Sequence, residues 1–148
     1  MKTLLTALIA SAVLLSFGSV NADGDAGYGK QKVVYHINYD DPKKQKGAMR
    51  NIQNHINAVG AENLDLRVVM HGNGLSLLMR ANEDANVESS VVSLKSQGIG
   101  FKVCANTLRG RKISYQDDLF DVEEEDIVPS GVAELAHLQA QGYSYVKP

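Results

Sequence analysis

The sequence predicts an α/β domain in three layers, a five-stranded and mostly parallel sheet with helices on both faces. Three observations carry this. Short runs rich in Val, Ile, Leu and Tyr alternate with longer segments whose apolar residues recur every three or four positions. The strand-like runs are apolar almost throughout, as strands buried on both faces are. Capping residues and glycines fall between the two kinds of segment. Strand and helix in strict alternation imply parallel pairing through covered crossovers.

The chain has 148 residues, one cysteine, four histidines, no tryptophan and a net charge of −2. Its start is not read as part of the domain. Lys2 precedes an uncharged apolar run over residues 4–17, and Val20-Asn21-Ala22 offers small residues at a cleavage position. This predicts a secretory signal peptide over residues 1–22. The run is too short, and too interrupted by Ser16, Gly18 and Ser19, to span a membrane. Export to the periplasm is expected, with no membrane attachment after cleavage. Residues 23–31 read as a flexible polar leader, and residues 32–148 as one domain.

Residues 32–39 form the first expected strand, with His36 inside it. A histidine there is either packed or a ligand to something bound. Asp41 caps, and Pro42 opens, a helix whose Met49, Ile52, Ile56 and Val59 share a face up to Gly60. Residues 64–70 form the second strand and run into His71-Gly72-Asn73-Gly74. A glycine-rich turn at the carboxyl end of a strand is where ligands gather in open α/β sheets. His71 there is placed to bind a group or move a proton, although a plain turn has the same sequence.

Leu75, Leu77, Leu78 and Met79 make a short apolar segment that either closes the core or faces another subunit. Asn86 is expected to cap a second long helix, with Val87, Val91 and Leu94 inward and Gly98 as its stop. Residues 99–103 form the third strand, ending at Cys104. A first helical turn over residues 105–108 follows, then Arg109, Arg111 and Lys112. After a connector at 114–118, residues 126–129 read as a short fourth strand. Ser130 caps a helix over 131–141 with Val132, Leu135 and Leu138 inward, and residues 143–146 form the last strand.

Several chemistries are excluded. A slightly acidic chain with few aromatics gives no reason to expect nucleic acid. The segment after the first strand, Asn38-Tyr39-Asp40-Asp41-Pro42, is not a dinucleotide turn, and the glycines at 72–74 lack phosphate-loop spacing. No serine elbow is present. The histidines lack metal-ligand spacing, so no metal and no cofactor are expected. Asp117 and Asp118 are neighbours, and Glu123, Glu124 and Glu125 read as a solvated face, so no carboxylate pair spans a cleft.

The thiol remains. A lone cysteine is either a small buried hydrophobe or a nucleophile. At a strand-to-helix switch, backbone N–H groups and nearby cations favour its thiolate. Such a sulfur can accept sulfane sulfur as a persulfide. With no second cysteine it has no internal resolving partner, which suits transfer to another molecule.

At these residues the sequence resembles the DsrE/DsrF-like family of sulfur-relay proteins. The resemblance rests on Phe101-Lys102-Val103-Cys104-Ala105-Asn106-Thr107-Leu108-Arg109-Gly110-Arg111, on Val68-Val69-Met70-His71-Gly72-Asn73-Gly74, and on the ending that opens with Ile127-Val128-Pro129-Ser130-Gly131. It spans residues 32–148 and is closest to the exported, small, single-domain branch. It implies a homotrimer or homohexamer, Cys104 as the persulfide carrier, and a sulfur donor or acceptor protein as partner. The site expected is Cys104, His71 and Arg109, with Gly72, Asn73, Gly74, Asn106 and His36 around it. The competing expectation is a non-catalytic periplasmic oligomer that binds a small ligand or protein, with Cys104 merely packed.

Overall fold

The computed structural model describes residues 27–148, so the expected signal peptide and most of the leader lie outside the described residues. Five parallel strands form one sheet in the order β4-β3-β2-β1-β5. They are β1 (Gln31–Ile37), β2 (Leu64–Met70), β3 (Gly100–Cys104), β4 (Ile127–Val128) and β5 (Ser144–Val146). Between them lie α1 (Pro42–Val59), α2 (Ser76–Ala81), α3 (Ala85–Ser96), α4 (Ala105–Arg111), α5 (Tyr115–Asp118) and α6 (Gly131–Ala140).

The order fixes the layers. From β1 to β4 the chain steps steadily across the sheet, and then α6 carries it back to the far side of β1. Strand side chains alternate between faces. Val33, Tyr35, Ile37, Leu66, Val68, Met70, Phe101 and Val103 point to one face and pack with Met49, Ile52 and Ile56 of α1, Leu77 and Leu78 of α2, and Val91 and Leu94 of α3. Val34 and Val69 point to the other face and pack with Leu135 and Leu138 of α6 and with Tyr143. The first cluster is large, and the second is small and rests on one helix.

The helices start where the caps dictate. Asp41 accepts from the N–H groups of Lys43 and Lys44 at 2.9 and 3.0 Å, ahead of Pro42 at the first position. Asp84, not Asn86, caps α3 by accepting from the Asn86 N–H at 2.9 Å. Both residue types cap well, but Asp84 is the one with extended backbone, so the helix begins two residues earlier than expected. The connector at 114–118 is a capped helical turn.

Of the two readings open for the apolar segment after β2, the structure favours closure of the core, and one expectation in α6 is corrected. Leu75, Leu77 and Leu78 are each 1% exposed and close the chain's own core, and only Met79 stays outside. Val132 is 64% exposed rather than inward. A strict three-residue spacing drifts about 60° per step around a helix. Leu135 and Leu138 can therefore face the sheet while Val132 turns away.

Candidate functional site

The carboxyl ends of β1 to β4 meet along one edge of the sheet. Ile37 pairs with Met70, Met70 with Val103, and Cys104 with Val128. The residue that follows β2 is His71, so by continuation of the register His71 and Cys104 stand side by side at the strand ends. By alternation, His36 and Cys104 share the α6 face with Val34 and Val69. The connection after β3 runs onto the large-core face, while the connection after β4 crosses to the α6 face. This reversal of direction makes the β3–β4 boundary the topological switch point, the position at which open α/β sheets hold ligands.

Cys104 is a free thiol, 4% exposed, at the N-cap of α4. Burial pushes its pKa up, but polar hydrogens outweigh that and bring it below the usual thiol value. They are the backbone N–H of Gly131, the Thr107 hydroxyl, and the backbone N–H groups of Thr107 and Asn106. The sulfur thus collects donors from α4 and from the first residue of α6. Gly131 reaches it because it has no side chain: a Cβ there would lie 3.0 Å from His71 Cβ, 3.2 Å from Cys104 Cβ and 3.3 Å from His71 Cδ2.

His71 leads to a second group of side chains. Its Nε2 lies 2.7 Å from Nε2 of His36, and the two rings stack with centroids 4.7 Å apart. His36 Nδ1 lies 2.7 Å from the Tyr145 hydroxyl. His36 is 8% exposed, whereas Tyr145 is 43% exposed. Burial, the Lys147 ammonium and His71 push the His36 pKa down to about 4. Burial and Lys147 lower His71 as well. Lys147 is held here by donating to the His36 carbonyl at 3.4 Å and to Asn38 Oδ1. Both imidazoles are therefore neutral near pH 7.

The turn after β2 is braced rather than open. The Gly72 N–H donates to Thr107 Oγ1 at 2.9 Å, which ties the turn to α4. Gly74 packs on the end of β1, where a Cβ would come within 2.0 Å of the Ile37 carbonyl oxygen. Asn73 Oδ1 accepts from Arg111 Nη2 at 2.6 Å.

Of the residues expected at the site, the structure brings together Cys104, His71 and His36, with Gly72 and Gly74 shaping the turn. Asn106 contributes its backbone N–H, and its side chain accepts from Arg109. Arg109 is exposed and bonds to Asn106, and the polar hydrogens at the sulfur belong to other residues. Its place one turn into α4 carries its long side chain outward. Gly131, Thr107, Tyr145 and Lys147 were not anticipated. A glycine opening a helix straight after Ser130 is the signal for Gly131, since glycine weakens a helix unless something must come close. Nothing local marks Tyr145, because its role depends on β5 pairing with β1.

Among the described residues, no three His, Cys, Asp or Glu side chains converge to hold a metal ion. No described helix is long and apolar enough to cross a membrane. The arrangement offers a thiol inclined to ionise, a cradle of N–H donors, and a neutral histidine pair leading away from it.

Fold and site define a three-layer α/β domain with a polarised thiol at its topological switch. The family model for the DsrE/DsrF-like family matches residues 32–148, and the chain belongs to that family. No curated protein matches it. Among solved structures it is similar to the protein of unknown function MTH1491 from Methanobacterium thermoautotrophicum. The two are 31% identical, with a TM-score of 0.69 over 80% of this chain and 100% of that one. It also shares its fold with the ychN protein from E. coli, at 21% identity and a TM-score of 0.62, over 80% of this chain and 99% of that one.

Proposed function

We propose that this protein is exported to the periplasm, carries sulfane sulfur as a persulfide on Cys104, and passes it to a partner. The observation that carries this is the sulfur itself. A single thiol, held below its usual pKa by the Thr107 hydroxyl and by N–H groups from two separate elements, stands at the topological switch point of the sheet. The apolar leader at residues 1–22 supports export. Membership of the DsrE/DsrF-like family supports sulfur relay and assembly as a homotrimer or homohexamer.

The test is intact mass. The mature protein, treated with a low-molecular-weight persulfide, gains one sulfur atom, and reductant removes it. Cys104→Ser does not gain it. A thiol that stays unmodified under excess donor, and resists alkylation while folded, sinks the proposal. Light scattering tests assembly, and a monomer at all concentrations rules it out.

One observation favours a second reading. Cys104 is only 4% exposed, as a packed structural thiol would be. On that reading the protein is a non-catalytic periplasmic oligomer that binds a small ligand or a protein. It predicts no sulfur gain.

A further inference from the structure

We propose that Tyr145, His36 and His71 form a proton wire that serves sulfur transfer at Cys104, an inference that rests on the persulfide reading above. The wire is continuous through hydrogen-bond contacts. The Tyr145 hydroxyl lies 2.7 Å from His36 Nδ1, and His36 Nε2 lies 2.7 Å from His71 Nε2. Its outer end is 43% exposed, and its middle is 8% exposed. Its inner end stands beside Cys104 at the strand ends, and a Cβ added at Gly131 would touch both, 3.0 Å from His71 Cβ and 3.2 Å from Cys104 Cβ. His71 Nδ1 makes no hydrogen bond among the described residues and is the free terminus.

The groups facing the pair explain why it would pass protons as a neutral chain. Tyr145 and Lys147 approach from the β5 end, and Cys104 and Gly131 lie beside His71. No carboxylate bonds to either ring among the described residues. Neither imidazole can wait as a stable cation beside the Lys147 ammonium. A neutral chain avoids that cost. It takes a proton at one end as it gives one up at the other, and each ring only changes tautomer.

The Cys104 thiolate attacks the terminal sulfur of R–S–S–H. A Cys104 Sγ–S bond forms, the R–S bond to that sulfur breaks, and R–S⁻ leaves with the bonding pair. The transferred sulfur keeps its oxidation state. His71 Nδ1–H protonates R–S⁻. His71 Nε2 takes the proton of His36 Nε2, His36 Nδ1 takes that of the Tyr145 hydroxyl, and water restores the phenol, leaving hydroxide that the proton released when Cys104 ionised neutralises. The products are Cys104–S–S–H and R–S–H.

The experiment follows loading of the folded protein with glutathione persulfide by intact mass against time, in H₂O and D₂O. In wild type, loading is slowed by D₂O. Tyr145→Phe keeps the ring and loads to the same end point, about tenfold more slowly and with a smaller solvent isotope effect. His36→Asn is slower again, and added imidazole restores part of its rate. If wild type loads but both variants match its rate and isotope effect, the wire is overturned while persulfide carriage stands. If wild type does not load at all, persulfide carriage fails and the wire falls with it.

Discussion

The Nε2 atoms of His36 and His71 stand 2.7 Å apart, so the two rings share one proton between them. A second proton there would set two N–H groups head to head. Burial and the nearby Lys147 oppose it further.

This makes stability depend on pH. A histidine in the unfolded chain titrates near 6.5, whereas folded His36 titrates at about 4. Between those values the unfolded chain binds more protons, so acid favours unfolding. The contribution is complete above the unfolded value, declines as pH falls through the window, and is gone below the folded value. Urea midpoints measured from pH 7.5 to 4 will fall more steeply for wild type than for His36→Asn. Equal slopes would refute the assignment.

Gly131→Ala places a methyl between two backbone-anchored Cβ atoms, neither of which is the free end of a flexible side chain. The expected cost is about 1–3 kcal/mol, as for other overpacked sites. The same displacement draws an N–H away from Cys104, so the thiol pKa rises. Alkylation rate against pH reads that shift, and an unchanged profile counts against the Gly131 contact.

Two glycines should respond in opposite directions. At Gly74 a Cβ meets the Ile37 carbonyl oxygen at 2.0 Å and Asn38 Cα at 3.0 Å, so Gly74→Ala must move backbone. It should cost more than about 3 kcal/mol or prevent folding. Gly47 lies inside α1 with nothing within 4 Å of its would-be Cβ. Gly47→Ala should stabilise by about 0.5–1 kcal/mol, because glycine loses more freedom in a helix. Denaturant melts of the two variants decide both.

Core substitutions should follow the two faces of the sheet. Phe101 is 2% exposed within the larger cluster, and Phe101→Ala should cost about 3–5 kcal/mol. Val132→Ala, at a residue 64% exposed, should stay within about 0.5 kcal/mol. A large loss at Val132 would mean that another surface covers it.

Much of this was legible in the sequence because it is local. The second strand reads directly from its apolar run, Asp41-Pro42 announces α1, and Cys104 stands where strand turns to helix. What was not legible depends on residues far apart in the chain. Tyr145 meets His36 across 109 positions, and Gly131 meets Cys104 only because the chain changes sides after β4. The cations after Cys104 drew attention to Arg109. Charge order along a helix does not say where a long side chain goes, and this one turns to Asn106.

The return of α6 across the sheet also sets an order of completion. β1 and β2, which carry His36 and His71, come early in the chain, and Cys104 follows on β3. The N–H of Gly131, the hydroxyl of Tyr145 and the ammonium of Lys147 all come after β4. During synthesis the donors on Asn106 and Thr107 follow the sulfur at once, whereas the N–H of Gly131 arrives only with α6. The full set of donors around the thiol exists only after α6 has docked across the sheet. The histidine pair gains Tyr145 later still, once β5 has paired with β1.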